Sequence, residues 1–177
     1  MRRLAGHDHI QRFIKAIGAR AARNARLYFT GGATAVLLGW RPSTIDVDIH
    51  LVPEHDALLR ALPELKEELE INLELACPAH FIPELPGWEK RSLFIVQEGR
   101  LSFYHYDLYA QALAKIERGH TLDITDVQVM FRRGLIEAPA LQTLFEEIVP
   151  QLYRFPAIDA PAFRRAVEKT IDTFGRQ

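Results

Sequence analysis

Residues 27–50 read LYFTGGATAVLLGWRPSTIDVDIH. The stretch opens as a short apolar and aromatic run that stops at Gly31-Gly32, a pattern typical of a strand that ends in a glycine turn. Small or apolar side chains follow over Ala33–Leu38, and Gly39 stands where a helix would stop. The sequence therefore predicts a strand, a glycine turn and a short buried helix.

Beyond the polar turn at residues 41–44, apolar and polar side chains alternate strictly. The alternation predicts a strand with Ile45, Val47, Ile49 and Leu51 on the core face and Asp46, Asp48 and His50 on the other. Two carboxylates at i and i+2 on a strand have Cα atoms roughly 6.5 Å apart. Hard cations such as Mg²⁺ take one or two carboxylates together with water and phosphate oxygens. Asp46 and Asp48 are thus candidate ligands of Mg²⁺ or Mn²⁺.

The glycine pair completes this candidate site. Backbone without a Cβ atom lets a phosphate approach closely, and the helix that follows offers unpaired N–H groups. Gly31 and Gly32 are therefore candidate phosphate-binding residues. A paired glycine is usually only a turn, and an Asp-x-Asp on an open strand face is usually solvated charge. Their combination in this order favours a phosphate-and-metal site.

Thirteen residues separate Gly32 from Asp46. This arrangement of Gly-Gly, short helix and Asp-x-Asp strand resembles the polymerase-β-like nucleotidyltransferase superfamily. Within it, the chain is most similar to small bacterial nucleotidyltransferase toxins of the abortive-infection, type IV toxin–antitoxin kind. Those proteins carry an Arg and a Ser or Thr just before the acidic pair, as Arg41, Ser43 and Thr44 do here. The resemblance implies nucleotide binding by Gly31, Gly32, Arg41 and Ser43.

A later pattern of the same toxins, K…R…D..D, is matched by Lys115, Arg118, Asp123 and Asp126. The resemblance, which covers about residues 27–131, implies catalytic roles for Asp46, Asp48, Lys115 and Asp123. Lys115 is expected to point inward from a helix over Asp107–Glu117, with the metal-site acids as its nearest carboxylates. A lysine on a helix more often faces solvent. Asp123 and Asp126 equally suit a capping arrangement before a helix over Val127–Leu135.

A third carboxylate is implied by the resemblance, because members of the superfamily commonly supply one from a strand after the acidic pair. Alternation over Ile71–Ala76 predicts such a strand, with Glu74 on its non-core face. Glu74 is the leading candidate for the third metal ligand, and an exposed strand glutamate is the plain alternative. Asp107 is the second candidate, and it also suits the cap of the helix that follows it.

The length and composition of the chain limit the number of domains and the class of protein. With 177 residues, 48% of them hydrophobic and 25% charged, the chain is expected to form a single domain over residues 1–177. Residues 135–177 are expected to be a short helical C-terminal extension. We predict an α+β fold: a nucleotidyltransferase-like mixed β-sheet of about five strands flanked by helices. No apolar run approaches the about 20 residues of a membrane helix, and no signal segment opens the chain, so a cytoplasmic protein is expected.

Other classes of protein find little support. The single cysteine, Cys77, excludes an internal disulfide and a Cys-based zinc cluster, and is expected to be buried at a strand end. No P-loop or Ser-His-Asp signature is present. Residues 1–26 carry seven Arg and Lys residues against Asp8, which is predicted to cap the first helix. This basic face either pairs with acidic neighbours or attracts RNA phosphates.

The resemblance implies an Mg²⁺-dependent enzyme that moves a nucleotide from an NTP to a hydroxyl on RNA or protein, with an antitoxin protein as partner. The alternative is a nucleotide- or partner-binding module of the same fold with little or no transfer activity. One departure separates the chain from these toxins, which usually carry a larger helical C-terminal lobe. The identity of the NTP, the acceptor and the oligomeric state are left open by the sequence.

Overall fold

The computed structural model describes residues 4–176, which divide into two compact units. The first unit comprises the chain up to Cys77 together with Leu93–Tyr106, and the second comprises Pro78–Ser92 together with the chain from Asp107 onward. The single domain expected over residues 1–177 stays a prediction. Within the described residues, no helix is long and apolar enough to cross a membrane.

The described residues of the first unit contain seven β-strands, five of which form one mixed sheet. The strands are β1 (Ala5–Gly6), β2 (Ala25–Thr30), β3 (Ser43–Thr44), β4 (Asp46–Val52), β5 (Asn72–Leu75), β6 (Leu93–Glu98) and β7 (Leu101–His105). The sheet order is β5-β4-β2-β7-β6, and β1 and β3 form a separate antiparallel pair. Strands β2/β7 and β4/β5 are parallel, whereas β2/β4 and β6/β7 are antiparallel. The predicted mixed α+β sheet of about five strands is confirmed.

Eight α-helices are found in the described residues. They are α1 (His7–Gly18), α2 (Gly32–Leu37), α3 (Asp56–Glu68), α4 (Trp88–Arg91), α5 (Leu108–Arg118), α6 (Thr121–Arg132), α7 (Ala138–Ile148) and α8 (Ala160–Phe174). Short 3₁₀ turns occupy Pro78–His80 and Val149–Arg154. Helices α1 to α3 belong to the first unit. In the second unit, α5 packs against α6, α7 and α8, and the rings of Phe145 and Phe163 meet edge-on at 5.0 Å.

The core of the first unit lies on one face of the sheet. Helix α1 contributes Ile10, Phe13, Ile14 and Ile17, the residues that its helical periodicity predicts to be buried. Phe13 meets Phe29 of β2 edge-on at a centroid distance of 6.2 Å. Val47, Ile49 and Leu51 of β4 are buried in the same cluster. The apolar face of β4 is therefore covered, and its other face carries the acids.

A buried polar link anchors α2, the helix that follows the glycine pair. The Thr34 hydroxyl donates to the Phe29 carbonyl at 3.2 Å, and His105 Nδ1 lies 3.2 Å from the same hydroxyl oxygen. Because the hydroxyl has one hydrogen, His105 Nδ1 must be the donor in its own contact. Burial lowers the pKa of His105 to about 4, so the ring is neutral at pH 7.

Several local predictions need correction. Ile45 was expected in the core but is 70% exposed, because β4 begins one residue later at Asp46. Leu75, which the alternation over Ile71–Ala76 predicts on the same face as Ile71 and Leu73, ends β5 and is exposed as well. Asp8 lies in the first turn of α1, whose cap is Gly6. The Gly6 backbone N–H donates to His9 Nδ1 at 3.3 Å, so the third residue of the helix satisfies the amide of the cap.

Two further expectations concern Cys77 and the basic residues before β2. Cys77 is buried two residues beyond the last residue of β5, close to the strand end at which it was predicted. Arg20 pairs with Glu64 and Glu68 of α3 at 3.4 and 2.9 Å. For Arg20, this is the first of the two alternatives given above, pairing of the basic face with acidic neighbours. The first two arginines of the chain, at positions 2 and 3, lie outside the described residues.

Replacing His105 is expected to flatten the pH dependence of stability. A histidine whose pKa is about 4 when folded and about 6.5 when unfolded destabilises the fold as pH falls through that window. Between pH 7 and pH 5 the wild type should lose about 2 kcal/mol more unfolding free energy than His105→Gln. Urea denaturation of both proteins at both pH values checks this, and equal losses would contradict it.

Candidate functional site

The acidic face of β4 is the centre of the site. Asp46, Asp48 and His50 are half-buried on this face, while Val47 and Ile49 between them are fully buried. The alternation predicted from the sequence thus places both carboxylates on one side of the sheet. His50 lies against the rings of Tyr28 and Tyr106, at centroid distances of 6.2 and 6.0 Å. It packs among aromatic neighbours beside the acids.

Gly31 brings the turn after β2 close to Asp48. Its backbone has φ +61° and ψ −130°, a conformation that only glycine adopts readily. A Cβ atom at this position would lie 2.9 Å from Asp48 Oδ2. The missing side chain therefore serves two purposes, since it permits the turn and leaves room for the carboxylate.

Gly32 is packed against the segment that leads into β4. A Cβ atom here would lie 2.7 Å from Cβ of Thr44 and 3.5 Å from Nη1 of Arg41. The Thr44 hydroxyl donates to the Asp46 carbonyl at 2.9 Å. The Arg and Thr before the acidic pair thus lie beside the glycine turn. Ser43, the predicted nucleotide-binding residue between them, is half-buried and pairs with Gly6 in the β1/β3 ladder.

Strand β5 carries the side chains next to the acidic pair. In the parallel β4/β5 register, Asp46 is opposite Asn72 and Asp48 is opposite Glu74. The Asn72 amide donates to Asp46 Oδ1 and, at 3.1 Å, to Glu74 Oε1. Glu74 therefore shares the face of the acidic pair, as strand parity predicts. Sequence reasoning missed Asn72, although the same parity places it two residues before Glu74.

Asp107, the second candidate for a third carboxylate, has structural partners in the second unit. It caps α5 by accepting from the Tyr109 N–H at 3.1 Å, and it accepts from Arg91 Nε and Nη2 at 3.0 and 2.7 Å. Complete burial raises the pKa of Asp107, and the Arg91 guanidinium opposes that rise. The capping role that the sequence offered for Asp107 is present.

Lys115 lies in a buried ion cluster with Asp123, Asp126 and Arg118. Its Nζ atom donates to Asp126 Oδ2 at 2.7 Å and to Asp123 Oδ1 at 3.3 Å. Lys115 points inward as predicted, but these partners come from α6 rather than from the acidic pair of β4. Arg118 donates to both oxygens of Asp123, each at 2.7 Å. The predicted catalytic roles of Lys115 and Asp123 stay predictions.

The capping interpretation of Asp123 is wrong. Helix α6 is capped at His120, and Asp123 and Asp126 are buried within the helix. Burial raises the pKa of Asp123, but the hydrogen bonds and charges of Arg118 and Lys115 outweigh burial and bring it below the ordinary value. Asp123 therefore stays ionised at neutral pH. The K…R…D..D pattern of the sequence thus forms an ion-pair network between α5 and α6.

A comparison with protein families bears on this arrangement. The model of a family described as "nucleotidyltransferase of unknown function (DUF6036)" matches residues 8–173. The chain belongs to this family. No curated protein and no solved structure shows a significant match. The predicted nucleotidyltransferase resemblance is confirmed at the level of the family, whose description names no toxin.

The acidic face offers oxygen ligands, which are the type of ligand that a hard divalent cation prefers. Asp46 and Asp48 supply carboxylate oxygens, and such cations usually complete their coordination with water and substrate phosphates. Among residues 4–176, no three His, Cys, Asp or Glu side chains converge as a group that could hold a metal ion. The amide of Asn72 donates hydrogen bonds to both Asp46 and Glu74.

Gly31→Ala should disturb this candidate site more than Gly39→Ala, although both positions have positive φ, +61° and +87°. Each variant should lose about 1–3 kcal/mol of stability, because a residue with a Cβ atom is strained at positive φ. Only the Gly31 variant also places a methyl group against Asp48, because nothing lies within 4 Å of a Cβ at Gly39. A melting-temperature rise with Mg²⁺ and NTP should therefore persist in Gly39→Ala and vanish in Gly31→Ala. Equal responses would contradict the role of Gly31.

Lys115→Met is expected to destabilise the protein by about 3–5 kcal/mol, because it removes the buried cation that Asp123 and Asp126 share. Arg118→Met is the matched control: the Arg118 side chain is 56% exposed and Asp123 would keep Lys115. Urea denaturation at pH 7 should rank Lys115→Met well below Arg118→Met. If Lys115→Met is as stable as the wild type, the cluster has no structural role.

Proposed function

We propose that this nucleotidyltransferase family member moves a nucleotide from an NTP to a hydroxyl group of RNA or protein in an Mg²⁺-dependent reaction. The observation that carries the proposal is the meeting of Gly31 with Asp48, which puts a glycine turn without a Cβ beside a pair of carboxylates on one sheet face. A triphosphate needs both close backbone and a cation to offset its charge.

The candidate site residues of the first unit have distinct roles in this proposed reaction. Asp46 and Asp48 would hold Mg²⁺, or Mn²⁺ in its place, with Glu74 as the proposed third ligand. The bound ion would orient the triphosphate, offset the charge of the in-line displacement and lower the pKa of the attacking hydroxyl. Gly31 and Gly32 would border the phosphates, and Arg41 and Ser43 would bind the nucleotide from the turn before β4.

In the transfer step, the acceptor oxygen forms a bond to the α-phosphorus and the bond from that phosphorus to the bridging oxygen breaks. Pyrophosphate leaves, and the hydroxyl proton passes to solvent or to a carboxylate. The chain's contribution is positioning and charge compensation, the two largest contributions in phosphoryl-group chemistry generally. The proposed biological setting is a toxin–antitoxin pair, in which an antitoxin protein restrains the transfer.

A second function, nucleotide binding with little or no transfer, is favoured by one specific observation. Lys115 and Asp123, the proposed catalytic residues of the second unit, already neutralise each other inside a buried cluster with Asp126 and Arg118. A lysine that is engaged by two carboxylates has less charge to offer a triphosphate. In this alternative the acidic pair binds metal and nucleotide without turnover.

Incubation with each α-labelled NTP, Mg²⁺ and either cell RNA or cell protein separates the two functions. We expect label on one acceptor class from the wild type and none from Asp46→Asn/Asp48→Asn. Asp8→Asn/Asp56→Asn, which removes two exposed carboxylates elsewhere, should transfer normally, since the two side chains are 98% and 89% exposed. Label on neither class, with NTP binding intact, would favour the binding module.

Stability provides the second measurement. Mg²⁺ together with NTP should raise the melting temperature of the wild type and of the Asp8/Asp56 control by mass action. At a hundredfold excess of ligand over Kd, the free energy of unfolding should rise by about 2.7 kcal/mol. The Asp46→Asn/Asp48→Asn variant should fold and lose this rise. If it responds like the wild type, the nucleotide binds elsewhere and the proposed site is wrong.

A further inference from the structure

Asn72 occupies an unusual position on the acidic face. It is directly opposite Asp46 in the β4/β5 register and two residues before Glu74 on its own strand. Its amide nitrogen donates to one oxygen of each: Oδ1 of Asp46 and Oε1 of Glu74. An Asn amide has two N–H donors, and here both go to carboxylates. One neutral side chain therefore ties together two acids on neighbouring strands.

Electrostatics explains why such a link is needed. Asp46, Asp48 and Glu74 lie on one face of two paired strands, and Asp48 and Glu74 are opposite each other. Like charges facing each other across strands destabilise a sheet. Hydrogen bonds to a charged acceptor are stronger than neutral ones, so the Asn72 amide stabilises two of the three carboxylates without any cation.

The same hydrogen bonds have a consequence for metal binding. A carboxylate oxygen that accepts from Asn72 is partly compensated, and a cation that binds it must compete with the amide or share the oxygen with it. Cation affinity in oxygen-ligand sites rises with the number of charged ligands. An amide that donates to Asp46 and Glu74 therefore weakens the attraction of the bare site for a divalent ion.

We infer that Asn72 is a positioning residue that holds Asp46 and Glu74 and keeps divalent-cation affinity low until nucleotide phosphates supply further oxygens. This inference rests on the proposed function, because it concerns the same metal-and-nucleotide site. The metal then loads together with the nucleotide. An aspartate at position 72 removes the donor and adds a carboxylate, which uncouples metal binding from nucleotide.

Calorimetric titration with Mn²⁺ alone, and then with a non-hydrolysable NTP analogue present, tests the coupling in the full chain. Wild type should bind Mn²⁺ at least roughly tenfold more tightly with the analogue than without it. Asn72→Asp should bind Mn²⁺ without the analogue roughly tenfold more tightly than wild type. Asn24→Asp, an exposed asparagine of the same unit, adds the same charge away from the site and should behave as wild type.

Unchanged nucleotide-free Mn²⁺ affinity in Asn72→Asp would overturn the inference, as would an equal gain in Asn24→Asp. Should Asn72→Asp not fold, Asn72→Ala keeps the test open: it removes the donor without adding charge, so Mn²⁺ alone should raise its melting temperature more than that of wild type. Equal rises would also overturn it. Failure of the proposed function looks different, since wild type would then show no binding of Mn²⁺ with the analogue.

Discussion

The burial of alternate residues on β4 is the constraint on which the acidic face depends. Val47 and Ile49 are fully buried, and each such side chain contributes about 1.5–3 kcal/mol through removal from water. A shift of one residue would move these side chains to the open face and drive Asp46 and Asp48 into the apolar core. Ionised carboxylates without partners are far too costly there. Burial of the apolar side chains and exclusion of the carboxylates from the core therefore both favour the observed register of β4.

Around β4, two glycines without side chains leave room for their neighbours, and one amide compensates the charge of two carboxylates. Gly31 leaves room for the Asp48 carboxylate, Gly32 leaves room for Thr44, and Asn72 offsets the repulsion between Asp46 and Glu74. Each of these features costs conformational freedom or lowers cation affinity, and each adapts the sheet to carboxylates on one face. Local features that trade stability for an open acidic site are typical of binding and catalytic sites.

The second unit handles charge differently. Lys115, Asp123 and Asp126 are all buried and are neutralised within the cluster, where Arg118 adds a second cation from a partly exposed position. Buried ion pairs contribute little net stability compared with apolar packing, yet removal of one member is expensive. The cluster therefore fixes how α5 and α6 pack, and it competes with any direct use of Lys115 on a phosphate.

Short-range patterns were enough to predict much of this protein. Period-two alternation identified the acidic face of β4 and the side of β5 on which Glu74 lies, and glycine chemistry located the turn before α2, because these features depend only on neighbours along the chain. The Asn72 bridge, the true partners of Lys115, the exposure of Ile45 and the link from His105 to Thr34 were not predictable. Each depends on where a strand begins or on which residues, distant in sequence, are brought into register. Strand pairing and helix packing decide those contacts, since hydrogen-bond partners and burial are properties of neighbours in space.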